Sequence, residues 1–489
     1  MAYSANLPTP TFDLEAWSSN YTGPLHPLRL AHVAATCPPL SQQALSIAIT
    51  SAKNGKDVSL YRRLIALASA LNFQDLAVQD TEWMDRTEDA NKRENTRLEQ
   101  ELKGYKNNLI RESIRMGQED LATHLLHTGG PEPLPLAEGE PPQSSNTIGL
   151  NAAYGAFGKM RDYCTTPTHV ASMTLRLLLT ATLQAVSAQQ TASSATGHYN
   201  AVLANGNRLR SVGVKDEEMT KIVPISAAAA GVAMLSTSNY RDAAESFLSV
   251  PFDLTTSGPV HALEFTRAIA SANDIAIYGG LTALATLSRE DLSTRVLGGS
   301  FRAFLELEPH MRKAISLFTT AKYRACLDTL QRYYSDWNLD VFLGANVGSP
   351  HGSHVDVLLA RIREKSITSH LSSYSQISLA SLAETFPPPP TSTAPTAQAA
   401  LEDEVVRLIQ SSNLPFRLDA VSGTLVAPST DARTSTHANA SAAADEVERT
   451  LLLRLNRVNV ALAGLEVQPE KRTGGGESWG ENRAGRVLG

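Results

Sequence analysis

The chain is poor in the features that mark secreted scaffolds, membrane proteins and nucleic-acid binders. Cysteine occurs three times in 489 residues, at Cys37, Cys164 and Cys326. An odd, widely spaced set excludes a disulfide framework and fits a reducing compartment. Aromatic residues make up only 6%, while Leu and Ala are abundant. That bias favours helix over a β-sandwich. There is no uninterrupted run of 18 apolar residues, so no transmembrane helix is expected. The opening MAYSANLPTPTFDLEAW lacks the basic-then-apolar pattern of a secretory signal. Positive charge is not in excess either: 43 basic and 49 acidic residues leave a net −6. Such a chain offers no global field to nucleic acid or an anionic membrane.

Catalytic patterns are also scarce. A zinc protease needs an H-x-H or H-E-x-x-H pair with a carboxylate base. His351-Gly-Ser-His354 has the wrong spacing on a Gly/Ser-rich stretch and is expected to be a solvated loop. Neither a nucleophile elbow nor a phosphate loop is expected. Cys164 has no close histidine, His169 being five residues away, and reads as a buried thiol. Catalytic residues, metal ligands and cofactor sites are therefore all expected to be none, with no small-molecule substrate and no enzyme activity.

Helical periodicity is plentiful. Residues 1–28, rich in Pro, Ser and Thr, are expected to lack regular structure. Ser41 and Asp57 read as N-caps of an antiparallel helix pair. Residues 81–116 read as one long charged helix with a narrow stripe of Leu98, Leu102, Tyr105 and Leu109. The proline-rich stretch 131–142 reads as a surface loop. Helices follow over 198–212, 216–235 and 239–250. Leu175, Leu178, Leu179, Thr182 and Val186 share a face of a preceding one. Short connections between helices of this size predict a right-handed α-solenoid, although no strict 34-residue period is present. Pro309 can open a helix. Tyr323, Cys326, Leu327 and Leu330 then fall at core spacing, which makes Cys326 a small buried hydrophobe.

The pattern changes near residue 355. Helices over 355–371, 378–386 and 401–411, the second proline-rich insertion at 387–395, and a hairpin around Ser422-Gly423 have the order of a winged helix. Between 355 and 427 there are five basic and seven acidic residues. Glu402, Asp403 and Glu404, expected to open the third helix, would repel phosphate. Nucleic acid is thus not an expected partner. Protein pairing through the wing edge, at Phe416, Leu418, Leu425 and Val426, fits better. A last helix spans about 444–464. Val447, Leu451, Leu455, Val458, Leu462 and Leu465 line one side, with a late 4-3-4-3 spacing that suits a helical bundle.

Helical repeats feeding a winged helix and a terminal helix resemble the PCI family of proteasome lid, signalosome and initiation-factor scaffolds. YKNNLIRESIRMGQEDLATHLL (Tyr105 to Leu126), MRDYCTTPTHV (Met160 to Val170), DIAIYGGLTALATLSREDL (Asp274 to Leu292) and FLELEPHMRKAISLFTTAKYRACLDTL (Phe304 to Leu330) resemble the subunit 1 family of the COP nine signalosome. The Tyr-Gly-Gly and Leu-Glu-Leu-Glu-Pro strings favour it over the paralogous proteasome lid subunit. This resemblance implies a flexible N-terminus (1–28), a TPR-like repeat arm (29–235) and a PCI domain (236–428). The PCI domain comprises a helical part (236–354) and a winged helix (355–428). A C-terminal bundle helix (429–466) and a disordered tail (467–489) complete the plan. It further implies a non-catalytic scaffold that supports removal of Nedd8 from cullins by a separate metalloprotease subunit. The implied partners are that subunit, the other PCI subunits and cullin-RING ligases, and the implied location is nucleus and cytoplasm.

Overall fold

The computed structural model describes residues 10–129, 145–191, 194–261, 263–345, 352–387, 397–411, 414–427 and 432–462. By internal contacts the chain divides into two units, one ending at Leu414 and the other beginning at Pro415. The first opens with α1 (Leu14–Ser19), α2 (His26–Thr36), α3 (Ser41–Lys53) and α4 (Val58–Ala70). A stack follows: α5 (Thr81–Asn107), α6 (Arg111–Thr128), α7 (Ser145–Lys159), α8 (Pro167–Gln190), α9 (Thr196–Ser211), α10 (Asp216–Ser236) and α11 (Tyr240–Leu248). Then come α12 (Phe265–Ala268), α13 (Ala272–Thr286), α14 (Arg289–Asp291), α15 (Arg302–Leu307), α16 (Pro309–Thr319), α17 (Tyr323–Arg332) and α18 (Tyr334–Asn338). The unit closes with α19 (His354–Leu371), β1 (Gln376–Ser378), α20 (Leu379–Thr385) and α21 (Ala397–Gln410).

Local chemistry sets many of these ends. The Asp57 and Asp80 carboxylates accept from the backbone N–H groups of Leu60 and Trp83 and so start α4 and α5. Ser271 with Asp274, and Ser353 with Asp356, form reciprocal capping boxes on α13 and α19. Pro167 and Pro309 occupy first-turn positions where no amide hydrogen is needed. From α5 to α11 each helix packs on its successor in sequence. That nearest-neighbour order is the physical definition of a helical solenoid. The chain is mainly α, as its composition implies. α8 and α10 each hold an 18-residue window apolar enough to cross a membrane, but 78% and 67% of those windows are buried in the chain's own packing.

Four expectations are corrected. Residues 1–28 are not irregular throughout: α1 and the start of α2 lie there, with Leu14, Tyr21 and Leu25 buried. Composition misled because Asp13 caps α1 and Pro27 serves the first turn of α2. The expected long helix 81–116 breaks after Asn107, where Leu109 takes φ 58°. The turn folds α6 back on α5, so Leu98 and Leu102 are buried while Leu109 is 81% exposed. Ser41 is inside α3 rather than its cap, and its hydroxyl donates to the carbonyls of Ala34 and Cys37. Glu402, Asp403 and Glu404 lie in the second turn of α21, because that helix begins at Ala397.

Helix packing also continues across residues 235 and 236, since α10 packs on α11. The contact division falls instead inside the 355–428 stretch.

The second unit contains β2 (Arg417–Asp419), β3 (Thr424–Val426) and α22 (Ala432–Leu462). β2 and β3 pair antiparallel with Leu418 opposite Leu425. The turn between them has Gly423 at φ 62°, a conformation glycine adopts without a Cβ clash.

Candidate assembly surfaces

α22 is 31 residues long, about 46 Å at 1.5 Å per residue. Val447, Leu451, Leu455, Val458 and Leu462 run along it at steps of four, four, three and four, and every one is exposed. Leu451 and Leu455 are 58% and 59% exposed. Leu452 and Leu453 are exposed beside them and widen the apolar face. Leu465, expected to extend the row, lies outside the described residues. A contiguous run of large apolar side chains in water is costly. Burying each against a partner helix returns on the order of 1 kcal/mol or more.

The wing divides its expected residues. Phe416 and Leu425 are buried, Leu418 is half-buried and Val426 is 38% exposed. Alternation along a strand sends neighbouring side chains to opposite faces, so the four cannot share one surface. Among the described residues β2 pairs only with β3, which leaves its outer backbone edge for hydrogen bonding.

Of the five basic residues counted over 355–427, the three on α19 are committed. Arg363 binds Glu404 through Nε at 2.9 Å and donates to the carbonyls of Phe386 and Pro387. Lys365 donates to the carbonyls of Leu284 and Leu287 and so caps the end of α13. Burial lowers its pKa to about 8. The Arg361 guanidinium lies 4.7 Å from the centre of the Tyr240 ring. These commitments turn the positive charge of α19 inward, away from any phosphate backbone.

Groups with chemical potential are mostly interior. His354 is not in a solvated loop: it is the first residue of α19, buried, with Nδ1 2.9 Å from the Tyr240 hydroxyl. Burial lowers its pKa to about 4, so it is neutral at physiological pH. His351 lies outside the described residues. Burial pushes the Cys326 thiol up to about 12, an inert group. Cys164 is half-buried, and burial again raises its pKa. Among the described residues no three potential metal ligands cluster. Gly476-Glu477-Ser478-Trp479-Gly480 does have nucleophile-elbow spacing, contrary to the sequence expectation, but lies outside the described residues.

One cluster escaped sequence reasoning. Arg29 on α2 is fully buried, with Nη1 2.6 Å from Asp340. Its Nη2 donates to the carbonyl of Ile269 and lies 3.8 Å from Asp274. Tyr21 donates to both Asp274 oxygens at 2.8 Å, and Tyr278 donates to Asp340 at 2.8 Å. The network ties the N-terminal segment to α13 and the 340 loop. Thr22 N–H to the Arg267 carbonyl adds to it, as does His32 with the Asn338 carbonyl. The one available signal was an arginine inside the apolar run HPLRLAHVAAT. Full burial makes this a structural clasp, since no solvent-borne substrate can reach Arg29.

Comparisons with known proteins agree with this architecture. The family described as 26S proteasome subunit RPN7 matches residues 80–132 and 146–295, and the PCI domain family matches 327–429. COP9 signalosome complex subunit 1 of Emericella nidulans is 38% identical over 94% of this chain and 84% of its own length. The protein of that name from Neurospora crassa is 32% identical over 91% of this chain and 90% of its own. The Arabidopsis thaliana protein is 28% identical over 92% and 89%. With a helical stack, a PCI region and this extent of identity in place, the chain belongs to the COP9 signalosome complex subunit 1 family.

Proposed function

We propose that this chain is a non-catalytic scaffold subunit of the signalosome, and that it supports removal of Nedd8 from cullin-type ubiquitin ligases by a separate metalloprotease subunit. The observation that carries this reading is the uncovered apolar face of α22. A helix with such a face needs partner helices, and a shared bundle of subunits supplies them. The face at Val447, Leu451, Leu455, Val458, Leu462 and Leu465 is the proposed bundle surface. The outer backbone edge of β2 is the proposed site where a neighbouring wing adds a strand. The division into an arm (29–235), a PCI domain (236–428) and a bundle helix (429–466) belongs to the same reading, as does residence in nucleus and cytoplasm.

The match to the proteasome subunit family favours a second reading, a lid scaffold. Affinity purification of the tagged chain from its own cells separates the two. Other PCI subunits, a metalloprotease subunit and activity on a neddylated cullin are the expected recovery. Proteasome ATPases instead would move the chain to the lid, and RNA or ribosomal subunits would overturn both readings.

A further inference from the structure

The stretch from Lys103 to Arg111 turns the chain from α5 into α6. It holds three basic residues, Lys103, Lys106 and Arg111, and no acidic one. All three are exposed, and none forms an ion pair among the described residues. The flanking carboxylates are engaged elsewhere: Glu101 binds Arg97 at 2.7 Å and Glu112 binds Arg115 at 2.6 Å. Glu99, one turn before Lys103, accepts from Asn95 and offsets at most one of the three charges. The helix ends do not account for this charge. Lys103 and Lys106 suit the negative end of α5, but Arg111 sits in the first turn of α6, where the helix dipole disfavours a cation. Between the charges stand Leu109 and Ile110, 81% and 54% exposed. Leu109 holds φ 58°, a conformation disfavoured for an L-residue other than asparagine or aspartate. The turn therefore presents a large apolar side chain to water on strained backbone, and packing within the chain offsets neither. Tyr105, the aromatic residue of the stretch, packs inward on Leu98 and Leu102.

We propose that the α5–α6 turn docks a short acidic segment of a partner protein. One large apolar residue of that segment covers Leu109 and Ile110, and flanking Asp or Glu side chains meet Lys106 and Arg111. Unpaired positive charge sets the sign of the partner and steers its approach. The apolar pair selects a peptide over a free anion, which gains nothing from it. Single-stranded nucleic acid is the poorer occupant, because binding it calls for aromatic stacking platforms and Tyr105 faces the interior. An anionic membrane is poorer too. Attachment there takes a broad apolar helix face or a lipid beside the basic patch, and two side chains at a turn supply neither. The proposal is independent of the assembly reading, which rests on α22.

The test is selection of a phage-displayed library of random twelve-residue peptides on the full chain. The library is first depleted on the Lys106→Glu/Arg111→Glu double variant, which keeps the apolar face of α22. Enriched peptides are expected to place Leu, Ile, Met or Phe among Asp or Glu. A fluorescein-labelled synthetic copy should then bind the full chain about ten-fold more tightly than the double variant, and added salt should weaken it. Leu109→Asn separates docking from folding. It relieves the strained backbone, so it should melt higher than the parent yet bind the peptide about ten-fold more weakly. No consensus, a consensus without acidic residues, parental binding by Leu109→Asn, or tighter binding of a labelled twelve-nucleotide oligouridine or of phosphatidylserine vesicles would each overturn the proposal.

Discussion

Arg29 shows how much one residue can decide. It is a fully buried cation that faces two carboxylates, and its removal leaves negative charge stranded in the interior. Arg29→Met should therefore cost about 3–5 kcal/mol in urea denaturation. Arg62→Met, at a half-exposed pair, should cost under about 1 kcal/mol. Similar losses for the two would refute the clasp. Asp274 adds a pH dependence. Burial raises its pKa from 3.8 to about 6, against the pull of Arg29 and with the help of Asp340. A carboxyl with a raised folded pKa favours the folded state fully below pH 3.8, and that contribution is lost as pH rises through about 6. The swing is on the order of 3 kcal/mol. Asp274→Asn should flatten this part of the stability profile between pH 4 and 6, and an unchanged slope would show that the group does not titrate there.

Among the elements, the α5–α6 hairpin is the clearest case of a sequence pattern overridden. The stripe Leu98, Leu102, Tyr105 and Leu109 is continuous at helical spacing, yet the chain turns at its last member. Leu109 adopts a left-handed conformation that costs an L-residue about 1–2 kcal/mol, whereas asparagine visits it readily. Leu109→Asn should raise stability by about 0.5–1 kcal/mol, because the side chain is exposed and buries nothing. A lower melting temperature would mean that the leucine makes contacts beyond the turn. Gly279 illustrates the opposite relation, a string whose reason is tertiary. A Cβ there would sit 2.5 Å from the Phe301 ring, and its neighbour Tyr278 reaches Asp340. The Tyr-Gly-Gly string thus combines a clasp residue with a close-packing site on α13.

For the whole molecule, the helical stack and the exposed α22 place different demands on the chain. The stack satisfies its apolar faces internally, helix against next helix. α22 does not, and its apolar row should act only between chains. The double variant Leu451→Asp/Leu455→Asp should keep the melting temperature and circular dichroism of the parent but fail to co-purify with other subunits. Retained co-purification would remove α22 from the assembly.

Much was determined by the sequence alone. Composition specified the mainly helical class, 3.6-residue periodicity many of the helices and the apolar row on α22, and turn chemistry the β2–β3 turn at Gly423. These depend on interactions within a few residues, which local patterns record. Tertiary structure alone decided the break at Leu109, the ordering of residues 11–28, the burial of His354 and the Arg29 clasp. Each depends on partners far along the chain: Arg29 meets a carboxylate 311 residues away, and no local pattern encodes such a distance.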